Sequence, residues 1–247
     1  MRRRLHRVSR SPLVAVRILF TGGLLALLVG CGTPAFNDPA RAGPFYTPVN
    51  HFGEPSLGGL RRVLLLPIAG GSIAPQEIVA SFDPVFAAAL QNQHRFEIVA
   101  LSREECLRKF RVREFSSAAA LPRDFLAVIK RDFAADAVLF VDVTVFRGYR
   151  PLALGLRAKL ATLEGTRLVW TFDDVFSADT PAVANSARHH VLVSDRSDVP
   201  ADLSPAVLQS PLRFAGYAAT AMFATLPPVI LSGNIPGAAP VSSSNKR

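Results

Sequence analysis

The chain has 247 residues, 49% of them hydrophobic and 17 of them Phe, which is enough for one domain of about 150–200 residues with a sizeable core. Its formal net charge of +9 depends on the first 30 residues, which contain six Arg and no acid. Without them, 22 basic residues stand against 19 acidic ones, so the composition gives no support to a nucleic-acid partner.

Residues 1–30 have the composition of a secretory leader. A basic stretch through Arg17 precedes an apolar run, residues 18–29, that is too short to cross about 30 Å of hydrocarbon as an ordinary transmembrane helix. The run ends in Leu28-Val29-Gly30-Cys31, which resembles the lipobox of bacterial lipoproteins. The resemblance implies a diacylglycerol on the sulfur of Cys31, cleavage after Gly30 and acylation of the new amine. The alternative is a membrane-retained signal anchor with an incidental cysteine.

Acylation of this kind would hold the chain stably at a membrane. The residue after the cysteine, Gly32, is not the Asp that marks enterobacterial inner-membrane lipoproteins. The expected location is therefore the outer membrane, facing the periplasm, with a Gram-positive source as the alternative.

Four segments are expected. Residues 1–30 form the leader, 31–59 an acylated Cys with a flexible Pro- and Gly-rich tether, 60–231 a folded domain, and 232–247 a disordered tail. The tether carries aromatic residues that are unusual in a spacer, and these are expected to dock either on the domain or on a partner. They are Phe36, Phe45, Tyr46 and Phe52.

The domain alternates strands and helices. Strands are predicted at residues 63–68, 96–100, 137–146, 152–163 and 167–176, and helices at 75–93, 102–110, from Pro122 through Phe133, and from Ser210 to Pro227. Ser102 and Glu105 have the spacing of a capping box, and Ser210-Pro211 is predicted to cap the last helix. Residues 177–209 are expected to be mostly loop, with a short helix near residues 183–189 as an alternative. The fold class is therefore α/β, a single domain with a mixed sheet of about five strands, an antiparallel hairpin half and flanking helices.

The hairpin allows its register to be predicted. A two-residue turn would place Lys159 opposite Trp170, whereas a three-residue loop places Leu160 opposite Trp170 and Arg157 opposite Asp173. The second register matches both faces and is preferred. Asp173 and its neighbour Asp174 must then point to opposite faces, so they cannot act as a paired acid and base.

No catalytic or metal-binding signature is found. Gly70-Gly71-Ser72 lies between a strand and a helix but lacks phosphate-loop spacing, so a plain turn is expected. His189-His190 has no third ligand nearby and is predicted to be a solvated loop pair. Cys106 is expected to be a small buried hydrophobe, and Asp142 to face the wet side of the sheet or to pair with a neighbour such as Arg157. No catalytic residue, metal or cofactor is therefore predicted.

The domain resembles one found at the amino end of the Tol-Pal translocation protein, in the curli-secretion lipoprotein and in the lipoprotein activators of penicillin-binding proteins. The similarity covers roughly residues 60–176 and lies in four segments: residues 61–68, 96–99, 135–144 and 156–170. That group uses the domain to bind partners in the cell envelope and shares no catalytic residues. The loop after residue 176 and the closing helix depart from its pattern, which leaves the subfamily open.

The expected function is therefore that of a non-enzymatic envelope lipoprotein that contacts the membrane through its anchor and docks a protein partner. Two alternatives come from other classes. One is an envelope hydrolase whose site gathers Asp142 with His189 or His190. The other is a lipid or small-molecule carrier, which requires a sizeable apolar cavity beneath the sheet.

Overall fold

A computed structural model describes residues 38–164, 167–194 and 203–229 of the chain. The chain divides into two compact units, residues 1–42 and 43–247. In the first unit the described residues form a short helix, α1 (Pro39–Ala42). The leader, Leu28, Val29, Gly30, Cys31 and the tail from residue 232 lie outside the described residues, so the predictions made for them stay predictions.

The second unit contains six strands and five α-helices in its described part. In chain order these are β1 (His51–Gly53), β2 (Arg62–Leu65), α2 (Gln76–Gln91), β3 (Glu97–Ala100), α3 (Arg103–Phe110), α4 (Phe125–Phe133), β4 (Ala137–Arg147), β5 (Ala153–Thr162), β6 (Leu168–Ser177), α5 (Pro181–Ser194) and α6 (Pro211–Phe223). A 3₁₀ helix, Ser204–Leu208, precedes α6.

The strands form one mixed sheet in the order β1-β6-β5-β4-β2-β3. β3, β2 and β4 are parallel, and β4, β5, β6 and β1 are antiparallel to their neighbours. The structure thus confirms the predicted α/β class with its mixed sheet and antiparallel half. It has six strands rather than about five.

The additional strand comes from the predicted tether. β1 pairs with β6, and upstream of it the Tyr46 hydroxyl donates to Asp174 at 2.7 Å. Leu57 is fully buried in the core. The second unit therefore includes residues 43–59, which are predicted from the sequence to belong to the tether. A strand of three residues is too short for alternation to reveal it in the sequence.

The two helix caps predicted from the sequence are confirmed. The side chain of Ser102 accepts from the backbone N–H of Glu105 at the start of α3, and Ser210 accepts from Arg213 at the start of α6. Each cap satisfies one of the backbone donors that a helix start leaves without a partner.

The first face of the sheet carries the main core. α2 and α6 pack on it, with part of α5, and the largest buried residues are aromatic. They include Trp170, Phe82, Phe86, Phe172, Phe176, Phe214 and Phe223. Burial of a large apolar side chain contributes about 1.5–3 kcal/mol, so this layer dominates the stability of the fold.

The second face is covered over only half of its width. α3 and α4 pack on the parallel strands, and their core includes Leu64, Val138, Phe140, Phe125 and Ile129. This half is held by the crossover connections that parallel strands require. Among the described residues, Ala161 is the one residue of β5 that packs against this core, and β6 and β1 contribute none on this face.

The hairpin of β5 and β6 has the preferred register. Leu160 lies opposite Trp170, and Arg157 opposite Asp173. The pairing shifts between Leu160 and Ala161, which places Ala161 opposite Leu168. The predicted register is therefore confirmed for these pairs, whereas the shift next to the turn was not predicted and residues 165 and 166 of the turn lie outside the described residues.

A half-buried ionic network joins α2, α3 and the segments that follow β2 and α3. Arg103 on α3 forms salt bridges with Asp83 on α2 at 2.7 Å and with Glu114, in the loop after α3, at 2.6 Å. Its guanidinium also donates to the carbonyl of Ile68, after β2, at 2.7 Å. The other oxygen of Glu114 accepts from the backbone N–H groups of Gly70 and Gly71.

Replacing Arg103 by Met should lower the free energy of unfolding by about 1–3 kcal/mol, because the half-buried carboxylates of Asp83 and Glu114 would lose their hydrogen-bonded cation. Arg103 is 10% exposed. The control is Arg108→Met on the same helix, where the side chain is 72% exposed and the expected loss is about 0–1 kcal/mol. Urea unfolding of the purified chain measures both, and equal losses would contradict the role of the network.

Gly155 is required at the bulge between β4 and β5. A Cβ at this position would lie 2.6 Å from Thr144 Oγ1 and 2.9 Å from the backbone nitrogen of Val145. Gly155→Ala should therefore cost about 1–3 kcal/mol. Gly216→Ala in α6 should instead stabilise by about 0.5–1 kcal/mol, since its Cβ would make an ordinary 3.5 Å contact with Val85. In urea unfolding, the midpoint should fall for Gly155→Ala and rise for Gly216→Ala.

Candidate interaction surface

The uncovered half of the second face is a sheet surface that the described helices leave largely exposed. We call it the open face. Residues that lie directly opposite one another on neighbouring strands point to the same face of the sheet. The side chains of the open face therefore form rows across β1, β6 and β5. Its members are Phe52, Leu168, Thr171, Asp173, Val175, Arg157, Lys159 and Ala161.

The open face combines apolar and charged side chains. Phe52 is 62% exposed, Leu168 44% and Val175 43%. Arg157 and Asp173 lie between them and form a salt bridge of 2.7 Å. Exposed apolar side chains bordered by charged groups are typical of a protein interaction site.

The loop of residues 111–124 borders the open face and is fixed at three points. Glu114 binds the network of Arg103, and Phe115 packs against Phe110 and Phe125 with ring centroids 5.4 and 4.6 Å apart. Beyond them, Ser117 reaches the sheet. Its N–H donates to both carboxylate oxygens of Asp142, at 3.0 and 3.1 Å.

A pocket lies between this loop and the sheet. We call it the anchor pocket. It has a volume of about 250 Å³ and is lined by Ser116, Ser117, Ala119, Leu121, Leu126, Val138, Phe140, Lys159, Ala161, Thr162 and Leu168. Lys159, Ala161 and Leu168 belong to both the pocket and the open face, so the two are continuous.

A larger pocket of about 420 Å³ lies near Lys130 and Arg167. Its charged groups already have partners. Lys130 pairs with Glu164 at 2.9 Å, Arg167 pairs with Glu54 at 3.2 Å, and Asp136 accepts from the backbone of Arg61 and Arg62. It offers no unmatched charge to a ligand.

Asp142 differs from its prediction. It lies opposite Arg157 in the sheet, as expected of a neighbour, but the salt bridge of Arg157 is made with Asp173. The carboxylate of Asp142 is buried and holds the backbone of Ser117. Its role is to fix the 111–124 loop to the sheet.

His189 and His190 lie in helix α5 rather than in a solvated loop, so that prediction was wrong. Both are half-buried, with His189 beside Phe45 and His190 beside Tyr217. Burial, with a smaller contribution from the charge of His189, lowers the pKa of His190. The segment has few turn-forming residues, and helix α5 forms because Val183 and Ala187 pack on the core.

The remaining candidates have structural roles. Gly70-Gly71-Ser72 is a turn after β2 as predicted, and its first two N–H groups bind Glu114. Cys106 is a fully buried free cysteine, as predicted, and burial raises the pKa of its thiol to about 11. Asp173 and Asp174 point to opposite faces, toward Arg157 and Tyr46 respectively.

The structure also separates the residues of the hydrolase alternative. Asp142 faces the 111–124 loop on the second face, whereas His190 lies beside Tyr217 in the core of the first face. Within the described ranges, no group of three or more His, Cys, Asp or Glu residues could hold a metal ion. Nor does any helix in the part of the chain that the structure describes have the length and apolar character to cross a membrane.

No protein-family model and no curated protein matches the sequence. Solved structures share part of the fold. The lipoprotein GNA1162 from Neisseria meningitidis is 16% identical with a TM-score of 0.40, over 54% of this chain and 93% of that one. A PelC dodecamer from Paraburkholderia phytofirmans is 14% identical with a TM-score of 0.35, over 53% and 90%. The LpoB C-terminal domain from Salmonella enterica is 17% identical with a TM-score of 0.32, over 50% and 86%.

Sequence reasoning missed the anchor pocket and the importance of Lys159. In the sequence Lys159 is one basic residue in an amphipathic strand, and its position bears only on the register of the hairpin. The wall of the pocket comes from the 111–124 loop, which has no periodic pattern. Only the fold brings the loop beside β5.

Proposed function

We propose that this protein is a non-enzymatic lipoprotein of the cell envelope that docks a protein partner through the open face. The observation that carries the proposal is the uncovered half of an otherwise packed sheet, with exposed Phe52, Leu168 and Val175 around the Arg157–Asp173 pair. Exposed apolar side chains around charged groups on one sheet surface are typical of a protein-binding site.

The lipobox supports the envelope part of the proposal. Cleavage after Gly30 would leave Cys31 as the acylated N-terminus, and its acyl chains would hold the protein at a membrane. Gly32 favours the outer membrane with the domain facing the periplasm. The small net charge of the mature chain agrees with a protein partner rather than a nucleic acid.

The shape of the surface favours a protein over a small substrate. The open face is a sheet surface of alternating apolar and charged rows, and such a mixture is typical of interfaces between proteins that also exist separately. The carrier alternative needs a sizeable apolar cavity beneath the sheet. The space under the first face is instead occupied by large aromatic side chains.

Anchoring is tested by replacing Cys31. Cys31→Ala should abolish labelling by an alkyne fatty acid in growing bacteria and leave a product that keeps its leader, because the sulfur that accepts the diacylglycerol is gone. Cys106→Ala should remain labelled and processed, since that thiol is buried in the fold. Intact-mass measurement reads both changes, and a lipid-labelled Cys31→Ala protein would contradict the anchor.

Docking is tested by photo-cross-linking in the organism that encodes the protein. A photoreactive residue at Val175, on the open face, should give a discrete adduct with one envelope protein. The same residue at Val193, which is 68% exposed on α5, should give none. Adducts at both positions, or at neither, would argue against docking at the open face.

A further inference from the structure

We propose that the anchor pocket receives one large apolar side chain of the partner, and that a carboxylate next to that side chain on the partner pairs with Lys159. This inference rests on the proposed docking at the open face and specifies the chemistry that the partner must present. The proposal rests on three features that lie together at the border of the open face: an apolar pocket, a cation and an unpaired hydroxyl.

The pocket itself selects an apolar group of limited size. Leu121, Leu126, Val138, Phe140, Ala161 and Leu168 supply most of its wall. Its volume of about 250 Å³ lies below the range of about 300–1,000 Å³ that is common for sites of whole small molecules. It is suited to a single anchoring side chain, which is the usual centre of a protein interface.

Lys159 supplies a charge that the fold leaves unmatched. Its Nζ donates to the carbonyl of Ser117 at 2.9 Å, which uses one of its three N–H bonds. The side chain is half-buried, yet among the described residues no carboxylate lies within salt-bridge distance of it. The nearby carboxylates have other partners, since Asp142 accepts from Ser117 and Asp173 pairs with Arg157. A half-buried cation in this state favours an anionic ligand.

Ser117 adds a second polar contact. Its hydroxyl oxygen is buried and has no hydrogen-bond partner within the described part of the chain. Buried hydroxyl groups are normally bonded, so this one is available to donate to a carboxylate oxygen. Ser117 and Lys159 line the same pocket, and together they could hold the two oxygens of one carboxylate.

A peptide whose last residue is Phe is the simplest probe, because it carries the apolar group and the carboxylate on one residue. The test uses a fluorescein-labelled Gly-Ser-Gly-Phe with a free C-terminus, titrated with the full-length lipoprotein in detergent and followed by anisotropy. The C-terminal amide of the same peptide keeps the ring and removes the charge. The amide should bind about tenfold more weakly, the change expected when one charge-assisted contact is lost.

Variants identify the two parts of the site. Lys159→Met should weaken binding of the acid peptide about tenfold, to the affinity of the amide peptide. Lys159→Arg should keep the preference for the acid peptide, because it keeps the positive charge. Lys130→Met removes an exposed lysine that already pairs with Glu164, so it should change nothing. Ala161→Phe should fill the pocket and abolish binding of both peptides. Thermal melts show whether each variant is folded.

Several outcomes would overturn the proposal. The carboxylate contact would be ruled out if the acid and amide peptides bound equally well, or if folded Lys159→Met kept the full affinity for the acid peptide. If decanoate displaced the peptide more strongly than butanoate does, the pocket would be a site for lipid rather than for a protein side chain. If no peptide binds while the Val175 cross-link persists, docking stands and the pocket assignment falls. If the peptide binds and the cross-link is absent, the open-face proposal falls.

Discussion

The guanidinium of Arg103 is the interaction on which the rest of this site depends. It is surrounded by two carboxylates and a backbone carbonyl from three other parts of the chain, and it is almost entirely withdrawn from water. Through Glu114 it fixes the start of the 111–124 loop, and that loop then carries Phe115 into the core and Ser117 to the sheet. Without this cation, the loop that forms the wall of the anchor pocket and the border of the open face would lose the first of its three fixed points.

The exposure of half a sheet face follows from connectivity. Parallel strands need long crossovers, and the helices in those crossovers cover the faces that they cross. Antiparallel strands are joined by short turns and bring no helix with them. In this chain the parallel strands lie at one side of the sheet and the antiparallel strands at the other. The helices after β6 return to the first face, so the second face of β5, β6 and β1 remains available.

The sequence was informative where local chemistry decides the structure. Continuous apolar runs indicated the strands, Ser102 and Ser210 indicated the helix starts, and the pairing of Leu160 with Trp170 indicated the hairpin register. The sequence did not predict the segments whose structure depends on contacts with distant parts of the chain. β1 forms because β6 offers it an edge, and the 111–124 loop is held by Gly70 and Gly71, far away in the chain. The chemistry of Lys159 was invisible for the same reason, since its surroundings come from that loop.

If Cys31 carries lipid as proposed, the docking of β1 onto β6 also shortens the spacer that would follow it. Residues 32–59, if all were spacer, could extend roughly 90–100 Å at about 3.3–3.6 Å per residue. Residues 43–59 belong to the second folded unit, so roughly 56–61 Å of that extension is removed from the spacer. A shorter connection raises the effective concentration of the open face close to the bilayer. It would thereby select partners that are themselves membrane-proximal, and it would exclude those at the far side of a wide compartment.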